Sequence, residues 1–226
     1  MSKPARSAVL AATLLCCGSA SATYQSFTVR DSFTSTLAGL AATPSVIDFD
    51  GTPAGTTIPS GGSIDGLTFT YAFSGGVSLS VETGFDTTSP ANFLGTDDGD
   101  DTLRDGDNLA FSFAPSRAFG LSIISASELF DGDFVLTVET ESLSLQASAV
   151  QQTFPDGGSE WFLGIFDDAG SFTLATLTAD SNTGGTAFFY NLDDLRLASP
   201  VPAPMTAVLV SGGLAFLALR RRRRDA

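Results

Sequence analysis

The feature that most restricts the fold of this chain is a succession of short segments in which apolar and polar residues alternate. In GLTFTYAF, residues 66–73, every second side chain is large and apolar. Successive residues of a β-strand face opposite sides of a sheet, so this pattern predicts a strand with one buried face. About ten to twelve such segments recur, separated by turns rich in Gly, Asp and Pro. The chain is therefore predicted to be all-β: a single antiparallel β-sandwich with a jelly-roll-like arrangement.

The predicted sandwich extends over residues 23–200. Its first part, residues 23–43, alternates only weakly and is predicted to contain an edge strand. The segment WFLGIF, residues 161–166, is apolar throughout, which predicts a strand buried on both faces. No stretch of this region has a long helical period, and its phenylalanines are interpreted as core residues.

The first 22 residues have the three parts of a secretory signal peptide. Lys3 and Arg6 provide a basic start, and a short apolar segment follows them. Ala20 and Ala22 then place small residues at the two positions that define a cleavage site. We therefore expect cleavage after Ala22 and export of the remaining chain.

Composition excludes several classes of function. The region 23–200 contains 24 acidic and four basic residues, a net charge of −20. Such a surface repels nucleic acid and attracts divalent cations. The alternative is that the acidity serves only to keep the protein soluble. The chain has no histidine, and Cys16 and Cys17 both lie in the predicted signal peptide. This excludes Ser-His-Asp and Cys-His triads. Lipid attachment at either cysteine, the alternative to cleavage, is disfavoured because no small residue precedes them.

The last 26 residues combine three features in a fixed order. A proline-rich motif comes first, an uncharged run follows at 205–219, and a block of five arginines comes last. A helix of 15 residues spans about 22 Å, which is shorter than the hydrocarbon core of about 30 Å. A plain membrane anchor and a buried helix with a basic end are the alternatives to a processed signal. The motif is Val201, Pro202, Ala203 and Pro204, and the basic cluster is Arg220, Arg221, Arg222, Arg223 and Arg224.

This order of parts resembles the PEP-CTERM sorting signal, with Ala203 where that family usually has glutamate. The resemblance implies recognition by exosortase, a membrane protease-transpeptidase. It also implies that residues 201–226 are a sorting signal whose hydrophobic tail is removed after export across the inner membrane, as the tail of a GPI signal is. Before removal, the arginine cluster keeps the C-terminus in the cytoplasm. The mature protein is then expected at the cell surface or in the extracellular matrix.

Two further segments resemble the ends of domains found in many PEP-CTERM proteins. They are IDFDGTPAGTTIPSG at residues 47–61 and FFYNLDDLRL at residues 188–197. Those domains are similar to galactose-binding-like and carbohydrate-binding jelly rolls. The resemblance implies a fold rather than a particular ligand.

Acidic residues near both ends of the sandwich are the candidate metal ligands. Asp48 and Asp50 are predicted to lie on one face of the first clear strand, and Asp193 and Asp194 in the last hairpin. In domains of the kind this chain resembles, the first and last strands pair and a structural Ca²⁺ often lies there. Calcium binds six to eight oxygen ligands, which carboxylates from two segments can supply. Solvated turn residues are the alternative, and the aspartate-rich loop 97–107 is a second candidate, although it does not match an EF-hand.

Glu160 and Trp161 are a candidate sugar site, because an exposed indole stacks on sugars and an adjacent acid binds their hydroxyls. A core tryptophan is the alternative. Overall, the sequence predicts a non-enzymatic protein with a structural or adhesive role in a polysaccharide matrix. A carbohydrate-binding module and a glycoside hydrolase with paired acids are the alternative functions.

Overall fold

The computed structural model describes residues 23–40, 42–181 and 187–200. The predicted signal peptide and the predicted sorting signal both lie outside these residues. Within them, no helix has the length and apolar character needed to cross a membrane.

Strands dominate the described part of the chain. One α-helix, α1, spans Arg30–Ala38, and a short 3-10 turn spans Ser74–Gly76. The strands of the first half are β1 Tyr24–Phe27, β2 Ala42–Ile47, β3 Thr56–Ile58, β4 Ser63–Ile64, β5 Leu67–Tyr71, β6 Leu79–Thr83, β7 Asn92–Thr96 and β8 Leu103–Arg104. Those of the second half are β9 Leu109–Ser116, β10 Ala118–Ser125, β11 Phe134–Val138, β12 Glu141–Ser144, β13 Gln152–Thr153, β14 Ser159–Asp167, β15 Phe172–Ala179 and β16 Phe189–Pro200.

Two antiparallel sheets face each other, which confirms the predicted all-β sandwich. Among the described residues, the larger sheet has the order β1-β14-β10-β16-β7-β6-β3, with β2, β8 and β13 attached at its sides. The smaller sheet has the order β12-β11-β15-β9-β5-β4. The main hydrophobic core lies between them and takes residues from both sheets, for example Phe111 and Leu121. The more specific expectation, that the strands have a jelly-roll arrangement, stays a prediction.

The strand patterns read from the sequence correspond to the observed burial. In β5, Leu67 and Phe69 are fully buried, while Thr68 and Thr70, which alternate with them, are not. In β14, residues of both faces are buried, as the apolar run 161–166 predicts. The reason is that β14 has the core on one side and helix α1 on the other.

The helix was not predicted, because only Phe33 and Leu37 of α1 are buried and two turns do not establish a helical period. Phe33 is fully buried and packs against Phe162 with ring centroids 5.2 Å apart. The helix thereby covers one end of the outer face of the larger sheet. It replaces part of the edge strand predicted for residues 23–43, of which β1 is the remainder.

The first clear strand of the sequence pattern pairs with the last strand, as the resemblance implies, with Ile47 of β2 opposite Leu195 of β16. The strand ends at Ile47, however, so the prediction that a strand continues to Asp50 is wrong. Phe49 has a positive φ of 59°, a conformation that interrupts a strand, and its side chain is buried. Asp48 and Asp50 therefore lie in a turn after the strand.

Candidate binding groove

The predicted calcium ligands lie on both sides of the loop that joins β6 to β7. Oδ2 of Asp193 accepts hydrogen bonds from the backbone N–H of Thr88 at 2.8 Å and of Ser89 at 2.9 Å. Oδ1 of Asp50 accepts bonds from the backbone N–H of Ala91 and Asn92. The structure thus brings the two segments to one loop, but backbone N–H groups of this loop and of the start of β7 bond to one oxygen of each carboxylate.

The other two predicted ligands also have protein partners. Oδ2 of Asp194 lies 2.9 Å from the guanidinium of Arg196, and Oδ1 of Asp48 accepts the N–H of Asp50. The loop 97–107 is organised around Arg104, which forms ion pairs with Asp98 and Asp100. The described part of the chain contains no cluster of three or more acidic side chains arranged to hold a metal ion. The calcium site stays a prediction.

Glu160 and Trp161 lie inside the fold rather than on its surface. The indole of Trp161 is only 6% exposed, and its Nε1 donates to the carbonyl of Ala147 at 3.0 Å. Glu160 is fully buried, where Arg30 pairs with it at 2.9 Å and the hydroxyl of Ser122 donates to it at 2.7 Å. Burial raises the pKa of Glu160. An indole in this position does not offer its face to a sugar, so the structure does not support the predicted stacking site.

An open groove lies elsewhere on the outer face of the larger sheet. In their register, Ile124 of β10 pairs with Glu160 of β14 and with Asn191 of β16. Their chain neighbours Ile123, Trp161 and Leu192 face the core, so these three side chains face outward. Beyond the buried Glu160, the loops around Ile124 and Asn191 enclose a groove of about 550 Å³. It is lined by Phe85, Asp86, Asp100, Thr102, Ile124, Ser125, Ala126, Ser127, Asp156, Gly158, Phe189, Tyr190 and Asn191.

Two phenylalanines of this groove are exposed, in contrast to most of the phenylalanines in the described residues. Phe85 is 53% exposed and contacts the buried Phe93 edge to face, with centroids 6.0 Å apart. Phe189 is 47% exposed, and the guanidinium of Arg104 lies 5.9 Å from its ring centroid. Because large apolar side chains are usually buried, two exposed rings in one groove indicate a binding surface.

A pair of carboxyl groups lies beside these rings. The carboxyl groups of Asp86 and Asp156 both line the groove and interact with each other. Burial, and after it the interaction with Asp156, raise the pKa of Asp86 to about 6. Oδ2 of Asp86 lies against Gly158, because a Cβ added to that glycine would be 2.2 Å from it. The pair can accept hydrogen bonds from a ligand or interact with a cation.

Asn191 is the polar residue at the base of the groove. Its side chain is almost fully buried, and its Nδ2 donates to the backbone carbonyl of Asp86 at 3.0 Å. Its Oδ1 has no hydrogen-bond partner in the described part of the chain. A buried acceptor without a partner costs about 1–3 kcal/mol, which a donor from a ligand would recover.

Sequence reasoning missed this groove. The sequence favours core positions for phenylalanines such as Phe85 and Phe189, and Asp86 and Asp156 belong to turns far apart in the sequence. The one available signal was the placement of Phe85 in GFD, between polar turn residues instead of within an alternating strand.

No protein-family model matches this chain, and no curated protein matches it. Among solved structures, it is similar to the crystal structure of the K2 cleaved adhesin domain of Lys-gingipain (Kgp). That similarity has a TM-score of 0.43 at 7% sequence identity and covers 68% of this chain and 97% of the other. A similarity of this strength carries no argument about function.

Proposed function

We propose that this chain is an exported, non-enzymatic surface or matrix protein that adheres to polysaccharide, and that the groove binds the glycan. The observation that carries the proposal is the exposure of Phe85 and Phe189 in one groove with hydrogen-bonding groups. The C–H faces of a sugar ring are apolar and its edge carries hydroxyls. A glycan therefore suits a groove that combines aromatic faces with polar groups.

The supports of this groove are firm enough to hold such a ligand in one orientation. Phe189 belongs to β16, and its backbone N–H and carbonyl bond to the hydroxyls of Ser127 and Ser125, respectively. Asp86 follows Phe85 directly and is held by Asn191. Side chains fixed in this way lose little conformational freedom on binding, which favours affinity.

The acid pair supports binding rather than hydrolysis. A retaining glycosidase separates its two carboxyl groups by about 5–5.5 Å, and an inverting one by more. We propose that Asp86 and Asp156, whose carboxyl groups interact with each other, bind a ligand and do not take these two catalytic roles. A turnover screen with aryl glycosides tests this part of the proposal, because hydrolysis that Asp86→Asn abolishes would contradict a non-enzymatic role.

Export and sorting are part of the same proposal, and they depend on the two terminal segments. We propose that an exosortase-type enzyme recognises residues 201–204 and removes the tail at the inner membrane. An intact mass of the mature protein from its native host tests this, and we expect a mass without residues 205–226. A mass that includes them would leave the plain membrane anchor.

The binding proposal is tested with a glycan array followed by calorimetry on the glycans that bind. Phe85→Ala and Phe189→Ala should each weaken binding about tenfold, since an aromatic anchor at the centre of a site carries much of the binding energy. Phe130→Ala is the matched control, because this ring is also partly exposed but does not line the groove. Equal losses in all three variants, or no glycan that binds, would overturn the proposal.

A further inference from the structure

We propose that the groove selects glycans that carry free amino groups, so that its ligand is an amino-sugar polymer rather than a neutral or acidic one. This inference rests on the proposed function and names the class of glycan. It follows from the charge and from the hydrogen-bonding character of the groups that the groove presents.

The first step is the charge of the groove. Its ionisable lining consists of Asp86, Asp100, Asp156 and Tyr190, and none of these is basic. Asp100 is already paired with Arg104, and the Tyr190 hydroxyl donates to a backbone carbonyl. Asp86 and Asp156 form no ion pair with any basic group of the described residues. The groove therefore offers a cation two carboxyl groups whose charge is not otherwise compensated.

The second step is the relation between these two carboxyl groups. Both line the same groove and interact with each other, so negative charges on the two groups repel until a cation compensates them. Oδ2 of Asp86 lies against Gly158, which has no side chain to displace it. An ammonium group placed at the pair relieves the repulsion and donates up to three hydrogen bonds.

The third step is independent of charge. Oδ1 of Asn191 is a buried acceptor without a partner, and Asn191 lines the groove beside Asp86. The hydroxyl of Ser125, which also lines the groove, donates its hydrogen to the carbonyl of Phe189. The groove thus has an excess of acceptors, and it matches a ligand rich in N–H and O–H donors. A uronic acid brings further acceptors and negative charge, and the groove disfavours it.

The test measures the affinity of the purified chain for three hexasaccharides by calorimetry at pH 6.5. The first is a glucosamine hexamer. The second is its N-acetylated form, which has the same sugar backbone but no charge on its nitrogens, and the third is a galacturonic acid hexamer. We expect the free-amine form to bind at least about fivefold more tightly than the acetylated form, and the acidic form not to bind. The double variant Asp86→Asn/Asp156→Asn should abolish this preference, so that the ratio of the two affinities falls to about one.

Asp65→Asn is the matched control for charge. Asp65 is exposed in the turn between β4 and β5, and asparagine tolerates its positive φ of 49°. An equal loss of preference in Asp65→Asn would mean that the general acidity of the surface attracts the amines. A hexalysine peptide that binds with the same dependence on Asp86 and Asp156 would mean that the groove recognises charge without recognising sugar. Either result would overturn the inference.

The inference and the proposed function fail in different ways. Neutral hexamers that bind as tightly as amine hexamers, and lose binding in Phe85→Ala, would overturn the amine selectivity alone. The absence of any binding that depends on Phe85 or Phe189 would overturn both.

Discussion

Ser89 donates both its backbone N–H and its hydroxyl to Oδ2 of Asp193, at 2.9 and 3.0 Å. Thr88 makes the same two kinds of bond to the same oxygen, at 2.8 and 3.0 Å. This carboxylate therefore fixes the loop between β6 and β7 to β16. Phe85 and Asp86 lie in the same loop, so Asp193 also positions one wall of the groove.

We predict that Asp193→Asn destabilises the fold although it removes a buried charge. Oδ1 of Asp193 accepts the N–H of Asp194 at 2.7 Å, so both carboxylate oxygens accept hydrogen bonds. Asparagine replaces one of these oxygens by an N–H₂ group, which cannot accept from the donors that face it. Unpaired donors of this kind cost about 1–3 kcal/mol, more when the lost acceptor was charged. Urea unfolding measures the change, with Asp65→Asn as the exposed control. Equal stability of both variants would mean that the donors find other partners.

A second prediction concerns the buried ion pair that connects helix α1 to the larger sheet. Glu160 is fully buried and Arg30 is partly exposed, so Arg30→Ala leaves an uncompensated buried carboxyl group. We expect the free energy of unfolding to fall by about 3 kcal/mol. This is the low end of the range for a broken buried pair, because water reaches Arg30. Arg104→Ala breaks ion pairs on the exposed surface and should cost at most about 1 kcal/mol.

The double variant Arg30→Met/Glu160→Leu separates the two contributions to this loss. It removes the charge together with its partner, and it should recover much of the stability that Arg30→Ala loses. A double variant as unstable as Arg30→Ala would show that packing at the start of α1, rather than the unpaired charge, determines the effect.

The sandwich could be predicted from the sequence because its strands are specified by local alternation. Leu67 and Phe69 occupy one face of β5 and Thr68 the other, and each such strand can be identified within a few residues. The pairing of β2 with β16 could be expected only through resemblance, since no local pattern connects segments so far apart.

The helix and the groove could not be predicted, for two different physical reasons. Helix α1 buries only Phe33 and Leu37, and its position depends on the surface that β14 and β10 present to it. The groove is a product of tertiary structure, since Phe85 and Phe189 resemble core phenylalanines until the fold leaves them exposed. The bonds from Thr88 and Ser89 to Asp193 could not be predicted either, because this loop and β16 are far apart in the sequence.

A third prediction concerns the close approach of α1 to the sheet. A Cβ added to Gly164 would lie 2.8 Å from both Phe162 and Phe33, so Gly164→Ala forces the two rings apart. We expect a loss of about 1–3 kcal/mol, the usual cost of overpacking. Gly51→Ala is the control, because its added Cβ meets no atom within 4 Å. In a Phe33→Ala background the cost of Gly164→Ala should fall, and full additivity would contradict this account.

The fourth prediction concerns calcium. If the ion binds at the predicted ligands Asp48, Asp50, Asp193 and Asp194, it should raise the melting temperature more than sodium chloride of matched ionic strength does, because only specific binding exceeds general screening. Asp48→Asn/Asp50→Asn should remove this excess, and Asp65→Asn should not. Equal shifts in both salts would show that the acidic residues serve the solvated surface only.

The last prediction concerns the pH dependence of stability. Burial is the main cause that raises the pKa of Asp86 and of Asp193 to about 6, and it raises the pKa of Asp107 and Glu160 as well. The folded state therefore holds protons that the unfolded state has already released between about pH 4 and pH 6, and the free energy of unfolding falls as pH rises through this window. We expect a higher melting temperature at pH 5 than at pH 7.5. The measurement is made in high salt, because repulsion between surface carboxylates produces a trend of the same sign that salt screens. Asp86→Asn should flatten the profile in salt and Asp65→Asn should not, whereas a melting temperature that rises from pH 5 to pH 7.5 would mean that the native carboxyl groups are stabilised in their charged form.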